Sequence, residues 1–189
     1  DFFPYLEASP LAYYRRGEEN MAIVTGAGTI KPTYAVSGSM KNNRLAWSQR
    51  RPALILGFEG LPDFSPEQLV GNLQDRWSGL KAARLDRTVL LDGNRRLTVA
   101  HLAAEFEQSE FRDRFSEAVK PLLGQSRFLG LPAVLGFDRV AEICCDLEER
   151  LGVDVFEIPL LSPSLPGMRL AGLLKRDLLA AGVDYRQGA

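Results

Sequence analysis

The first 51 residues show no sustained period; from Pro52 apolar and polar positions alternate in a regular way. Ala53-Leu-Ile-Leu56 is a short unbroken apolar run stopped by Gly57, the pattern of a strand buried on both faces of a parallel sheet. Ser65-Pro66-Glu67-Gln68 then opens a helix: Ser65 suits the N-cap, Pro66 the first turn, and Gln68 stands where a capping box needs it. Leu69, Leu73 and Leu80 give that helix an apolar side, with Trp77 nearby. Arg87-Thr-Val-Leu-Leu91 reads as a second strand, and 98–108 and 109–123 as two helices, with Phe111 and Phe115 four apart on one face of the second. Ala133-Val-Leu135 reads as a strand that ends at Gly136-Phe137-Asp138. Asp138 is placed to cap a helix through Val140, Ile143, Cys144 and Leu147, which Gly152 terminates. Asp154-Val-Phe-Glu-Ile158 is a further strand. Leu170, Leu173, Leu174 and Leu178 mark a last helix over about 167–181, ended by Gly182.

Strand and helix in alternation imply right-handed βαβ crossovers and a mostly parallel, Rossmann-like three-layer α/β domain over 52–189. Residues 1–51 form a smaller irregular β/turn lobe, linking to or lying against a neighbouring domain. In it a short helix is expected over 10–20, strands at Met21–Val24 and Thr33–Val36, and a turn over 38–43. In such a sheet, ligands bind beyond the carboxyl ends of the strands. Those ends fall at Gly57-Phe-Glu-Gly60, Gly136-Phe-Asp138 and 159–167.

Composition narrows the classes. The 189 residues are 46% hydrophobic and 25% charged with net charge −1, which fits a folded domain and excludes disorder. The small cluster Arg44, Arg50, Arg51 does not make a nucleic-acid surface, and no apolar run reaches the ~18 residues that would insert in a membrane. The start, Asp1-Phe-Phe-Pro4, suggests an internal stretch of a longer polypeptide. Cys144 and Cys145 are neighbours, poorly placed for a disulfide on a helix; one is expected to face the core and the other its edge. No cysteine and histidine group supplies a zinc site, and a reduced, cytoplasmic setting follows.

Candidate chemistry is sparse. Gly26-Ala-Gly28 starts like a dinucleotide fingerprint, but Lys31 stands where the third glycine belongs and Pro32 blocks the helix, so a turn between strands accounts for it better. His101, the only histidine, has no evident partner and reads as a helix-surface or core-edge residue; no residue stands out as a catalytic base. Glu59 and Asp63 flank a tight turn after the first buried strand and either reach a crevice or satisfy backbone N–H groups near the helix start. The segment from Phe156 to Leu170 is the most distinctive. Its prolines fix an extended path, Gly167 allows close approach, Ser162 and Ser164 offer hydroxyls, and Arg169 enters the next helix near its N-terminus. Two outcomes are open: an anion cradle for a phosphate, or Arg169 paired with a carboxylate of the domain.

Phe156-Glu-Ile-Pro-Leu-Leu-Ser-Pro-Ser-Leu-Pro-Gly-Met-Arg-Leu170 resembles the Pro-Pro-Ser-x-x-Gly-x-Arg-Leu stretch of the B-subunit family of anaerobic glycerol-3-phosphate dehydrogenase, with Ser162 in place of the first proline. Thr29-Ile-Lys-Pro-Thr-Tyr34 is similar to that family's Gly-Thr-x-(Lys/Arg)-x-Thr-(Tyr/Trp) turn, Pro52 to Phe64 to its strand ending Gly-x-x-Gly-Leu-x-Asp-Phe, and Leu131 to Phe137 to its (Leu/Met)-Pro-Ala-x-x-Gly-(Leu/Phe). The resemblance implies the inserted, substrate-side domain of a flavoprotein with two dinucleotide-binding domains. The parent would oxidise glycerol 3-phosphate to dihydroxyacetone phosphate and pass electrons toward a quinone pool. It implies FAD or FMN in the parent and none in this stretch, whose flanking glycine-rich segments are absent. The implied partners are the flavin-binding domain of the same chain, sister subunits and a phosphorylated small-molecule substrate. The implied location is cytoplasmic, peripheral at the inner face of the cell membrane through those subunits. Arg169, with Ser162, Ser164 and the backbone at Gly167, is the expected anion site, and Glu59 a second candidate. The competing readings are a non-catalytic domain that docks a sister subunit and an independent α/β domain binding a small phosphorylated ligand.

Overall fold

A computed structural model describes residues 2–86, 88, 97–161, 164–184 and 186. The elements, in chain order, are α1 (Phe3–Ala8), β1 (Tyr14–Arg15), β2 (Met21–Val24), β3 (Ile30–Thr33), β4 (Ala35–Val36), a 3₁₀ turn (Gly38–Met40), α2 (Lys41–Gln49), β5 (Ala53–Phe58), α3 (Pro66–Leu73), β6 (Leu80–Leu85), α4 (Val99–Phe106), α5 (Ser109–Leu123), β7 (Phe128–Pro132), α6 (Val140–Leu151), β8 (Asp154–Ile158) and α7 (Leu165–Ala180). β5 to β8 form a parallel sheet in the order β6-β5-β7-β8, the expected α/β, Rossmann-like arrangement, and two small antiparallel pairs, β1–β4 and β2–β3, precede it.

The two central strands form where their residues leave no polar side chain to solvate. Every residue of β5 and of β7 is buried. Close stacking needs Gly130, where a Cβ would lie 2.7 Å from the Phe156 ring and 2.8 Å from Ile55. Chain direction from β5 to β6 is opposite to that from β7 to β8, so the order reverses between β5 and β7. Right-handed crossovers then put α3 on one face and α5 and α6, which touch, on the other. Phe58, Phe106, Phe111 and Phe115 fill the space beneath with mostly edge-to-face ring contacts.

Several local expectations change. The helix expected over 10–20 is absent: Ala12 and Gly17 take φ of 43° and 55°, and the helix comes earlier, at α1, with Pro4 in its first turn. The strand expected over 33–36 divides into the end of β3 and β4. The turn over 38–43 is a 3₁₀ turn running into α2, which buries Asn43, Ala46 and Trp47 on one side. Leu80 belongs to β6, not to α3, because β6 is drawn into strand pairing by β5 in the register Ala53↔Leu80 to Phe58↔Leu85. The strand expected over 87–91 lies almost wholly outside the described residues. The strand expected over 133–135 is β7, shifted to Phe128–Pro132. Arg139, not Asp138, precedes α6, and the Phe137 and Asp138 N–H groups instead donate to Glu107 Oε1 at 2.8 and 3.2 Å.

The outer edge of β8 is covered by side chains instead of another strand. The Val155 N–H donates to Glu148 Oε1, and the Val155 carbonyl accepts from Asn42 Nδ2. Asn43 is fully buried: its Oδ1 accepts from Val24 N–H at 2.8 Å, and its Nδ2 donates to the Val24 and Glu157 carbonyls at 2.9 and 3.3 Å. One amide thus staples the β2–β3 hairpin to the sheet edge, giving the unpaired backbone groups the partners that burial demands.

Candidate functional site

Three chain segments enclose an open cleft of about 800 Å³: the β2–β3 hairpin, the loop from β5 to α3, and the loop from β8 to α7. On β3 the strand period points Lys31 and Thr33 to this one side, with Thr29 of the preceding turn, and Ile23, cross-strand from Lys31, stands beside them. Pro62, Asp63 and Phe64 form the second wall, and Pro159, Leu160 and Ser164 the third. Tyr13 and Ser37 close the floor from the N-terminal elements. Two capped helix starts border the opening. Ser65 Oγ accepts from Gln68 N–H at 3.3 Å at the start of α3, and Ser164 Oγ from Gly167 N–H at 3.4 Å at the start of α7. Lys31 and Asp63 are its charged residues among those described. Burial pushes the Tyr13 phenol up and outweighs the opposing pull of Arg169, so Tyr13 is a neutral hydroxyl at pH 7.

The hairpin glycines serve close approach. A Cβ on Gly28, at φ +71°, would meet the Leu69 carbonyl oxygen at 2.8 Å; one on Gly26 would meet Leu160 at 2.8 Å. Asn72 Nδ2 donates to the Ala27 carbonyl, and Gly26 N–H to the Pro159 carbonyl at 3.0 Å. The turn is therefore pressed against α3 and the β8–α7 loop, and β3, not a helix, follows it. A flavin pyrophosphate does not fit this arrangement, and the dinucleotide motif reduces to a hairpin turn, the reading the sequence favoured.

Arg169 lies behind the cleft and is not among its lining residues. Its Nη1 and Nη2 donate to Glu157 Oε2 and Oε1 at 2.6 and 2.9 Å, and its Nε donates to the Gly136 carbonyl at 2.8 Å. Both side chains are essentially without solvent contact, at 1% and 0% exposure. Of the two outcomes open for Arg169, this structure has the domain carboxylate. Glu157 also accepts from Leu135 N–H at 2.8 Å and from Ser39 Oγ at 2.7 Å. Burial alone would raise its carboxyl; Arg169 and these donors outweigh that and hold it below the ordinary value. The pair lies on the β8 side of β7: Glu157 stands opposite Leu131 in the β7–β8 register, and Arg169 reaches the Gly136 carbonyl just beyond β7. Of the expected site residues, Ser164 lines the cleft, and Gly167 is spent on its cap. Glu59 is exposed away from the cleft, its N–H donating to Leu85. Ser162 lies outside the described residues. His101 is exposed on α4, and its backbone N–H donates to the Thr98 cap. Cys144 is buried and Cys145 exposed. Lys31 lines the cleft and is not among the expected candidates, although the (Lys/Arg) position of the Thr29–Tyr34 turn is a signal for it. Among the described residues no helix is long and apolar enough to cross a membrane.

The geometry defines an α/β domain with a side cleft, built around a buried ion pair. Its relatives are B subunits of anaerobic glycerol-3-phosphate dehydrogenases. The chain is 32% identical over 188 residues to the probable B subunit of an anaerobic glycerol-3-phosphate dehydrogenase of Halobacterium salinarum, covering 90% of this chain and 42% of that protein. It is 28% identical over 175 residues to the B subunit of the anaerobic glycerol-3-phosphate dehydrogenase of Yersinia pestis, 87% of this chain and 39% of that protein. Over 162 residues it is 28% identical to the corresponding B subunit of Actinobacillus pleuropneumoniae serotype 5b, 80% of this chain and 37% of that protein. The chain is thus homologous to these subunits and spans about two fifths of their length. No protein-family model matches it. No solved structure matches it.

Proposed function

We propose that the chain is the substrate-side domain of a flavin-dependent dehydrogenase, of the kind represented by the B subunits of glycerol-3-phosphate dehydrogenases. It would be active only together with the polypeptide that holds FAD or FMN. The observation that carries this is the extent of the homology: nearly all of the chain aligns with only about two fifths of the relatives. In the parent, sn-glycerol 3-phosphate would be oxidised to dihydroxyacetone phosphate, with electrons passed on through sister subunits. The redox chemistry is assigned to flavin outside this chain. The chain's own residues bind and orient. Lys31, projecting from β3 into the cleft, supplies the cation for the phosphate, and the start of α7 at Ser164 adds its positive end. Tyr13 and Ser37 on the floor contact the rest of the substrate, and Phe64 and Leu160 keep water from it. The location follows the parent: cytoplasmic, peripheral to the membrane through partner subunits.

The test is dye-linked oxidation of glycerol 3-phosphate by the full-length parent. Lys31→Gln is expected to raise KM about tenfold or more, as for the loss of a charge-assisted contact, with a smaller change in kcat. A parent without bound flavin, or one that is yellow but indifferent to glycerol 3-phosphate, rules the reading out. A second reading, docking of a sister subunit, has its own observation: Met168, Leu178 and Leu179 along α7, Val183 just after it and Leu161 just before it are exposed apolar side chains. Binding of a sister subunit that Leu179→Glu abolishes, with no ligand in the cleft, would favour it.

A further inference from the structure

A line of hydrogen bonds runs from the cleft floor to the buried ion pair. Ser37 Oγ lies 3.1 Å from Ser39 Oγ, which lies 2.7 Å from Glu157 Oε2. The proton on each bond follows from chemistry. Glu157 is held unprotonated by Arg169, so its oxygens only accept. Ser39 has one hydroxyl proton, and it goes to Glu157. Ser39 therefore accepts from Ser37, which spends its own single proton inward. Ser37 is 5% exposed and is one of the residues that line the cleft, so its hydroxyl has lone pairs and no proton for a ligand that reaches it there.

We propose that Ser37 is a specificity-determining residue of the cleft: an acceptor that selects a ligand bearing a hydroxyl or N–H donor at that point, with Ser39 and Glu157 as positioning residues. A free serine hydroxyl rotates to suit donor or acceptor. Here rotation would break the bond to Ser39, and Ser39 cannot re-donate without stripping Glu157. A carbonyl or phosphate oxygen set against Ser37 meets lone pair with lone pair, and a methylene leaves the oxygen without a partner. Sites built this way reject the analogue that lacks the hydroxyl. Because both serines and the carboxylate are buried, water does not level the difference. The ligand class is a polyol rather than its deoxy or keto counterpart. This rests on the cleft being the substrate side, as proposed above.

The experiment measures Kd for sn-glycerol 3-phosphate, its two monodeoxy analogues (propane-1,2-diol 3-phosphate and propane-1,3-diol phosphate) and dihydroxyacetone phosphate with the flavin-loaded full-length parent. Wild type is expected to bind glycerol 3-phosphate about threefold to tenfold more tightly than one of the deoxy analogues. Ser37→Ala should erase that preference by weakening glycerol 3-phosphate while leaving the deoxy analogue unchanged. Ser39→Ala, which frees the Ser37 proton to turn toward the cleft, should improve dihydroxyacetone phosphate relative to glycerol 3-phosphate by about threefold. A preference that survives Ser37→Ala, or equal weakening of all four ligands, overturns the assignment of Ser37 and leaves the cleft. A wild-type parent that binds none of the four overturns the reading of the cleft and the assignment together.

Discussion

Replacing Arg169 with Met removes one half of a pair with no access to water and leaves Glu157 with the Leu135 N–H and the Ser39 hydroxyl as its remaining donors. Breaking a buried pair by deleting one partner costs about 3–5 kcal/mol. That is a large share of the roughly 5–15 kcal/mol that stabilises a typical domain. The pH dependence separates this account from simple loss of contacts. In wild type the folded carboxyl sits below its unfolded value of about 4.3, so its contribution is complete above that pH and is lost as pH falls through the folded value. In Arg169→Met desolvation acts with far less opposition, and the folded value moves above the unfolded one. The native state then binds more protons than the unfolded state in the interval between, and stability falls as pH rises through it. Urea unfolding followed by Trp47 and Trp77 fluorescence should therefore show Arg169→Met more stable at pH 5 than at pH 8, whereas the Glu157 contribution in wild type is flat over that range. The double variant Arg169→Met, Glu157→Gln should recover more than half of the loss and remove the slope, because no unpaired charge is left buried. A single variant that loses less than about 1 kcal/mol, or whose loss does not change with pH, would refute the reasoning.

Asn43→Ala strips three backbone groups of their partners, Val24 N–H, the Val24 carbonyl and the Glu157 carbonyl. It should cost at least about 2 kcal/mol and expose the β2–β3 hairpin to limited proteolysis before the sheet unfolds; unaltered stability would mean the hairpin is held by something else. Burial, with Glu157 and Glu148 adding to it, pushes the Cys144 thiol up, while Cys145 is exposed. Thiol titration of the native protein at pH 8 should count one fast group and release the second only on unfolding, and two fast groups would contradict this placement.

Much of the sheet is legible from the chain because the signals are local. The unbroken apolar run at Ala53, the Ser65 cap before Pro66 and the left-handed stop at Gly152 each act within a few residues, and each stands where expected. α2 is not legible, since its buried face includes Asn43, a residue whose presence in a core makes sense only once Val24 and Glu157 are there to satisfy it. Nor is β6: Lys81-Ala-Ala-Arg84 has no apolar run, and its strand form comes from pairing with β5. At the site, the Ser164 cap could be foreseen from the prolines and glycine around it, but the gathering of Lys31, Asp63 and Ser164 in one cleft could not.

By itself, the order of residues determined the α/β class, the carboxyl-end loops as the places to look, and the relationship to the dehydrogenase B subunits. It also narrowed Arg169 to two roles. Only tertiary structure chose between them. Ser39, Asn43 and Glu157 meet across 118 and 114 positions of chain, and a guanidinium enclosed beside a carboxylate gains more from that partner than from waiting on an exposed anion. Apolar runs and caps act over a turn or a strand and are written in neighbouring residues; the pairing of buried charges depends on which distant groups folding removes from water together, and that is decided only when the sheet closes.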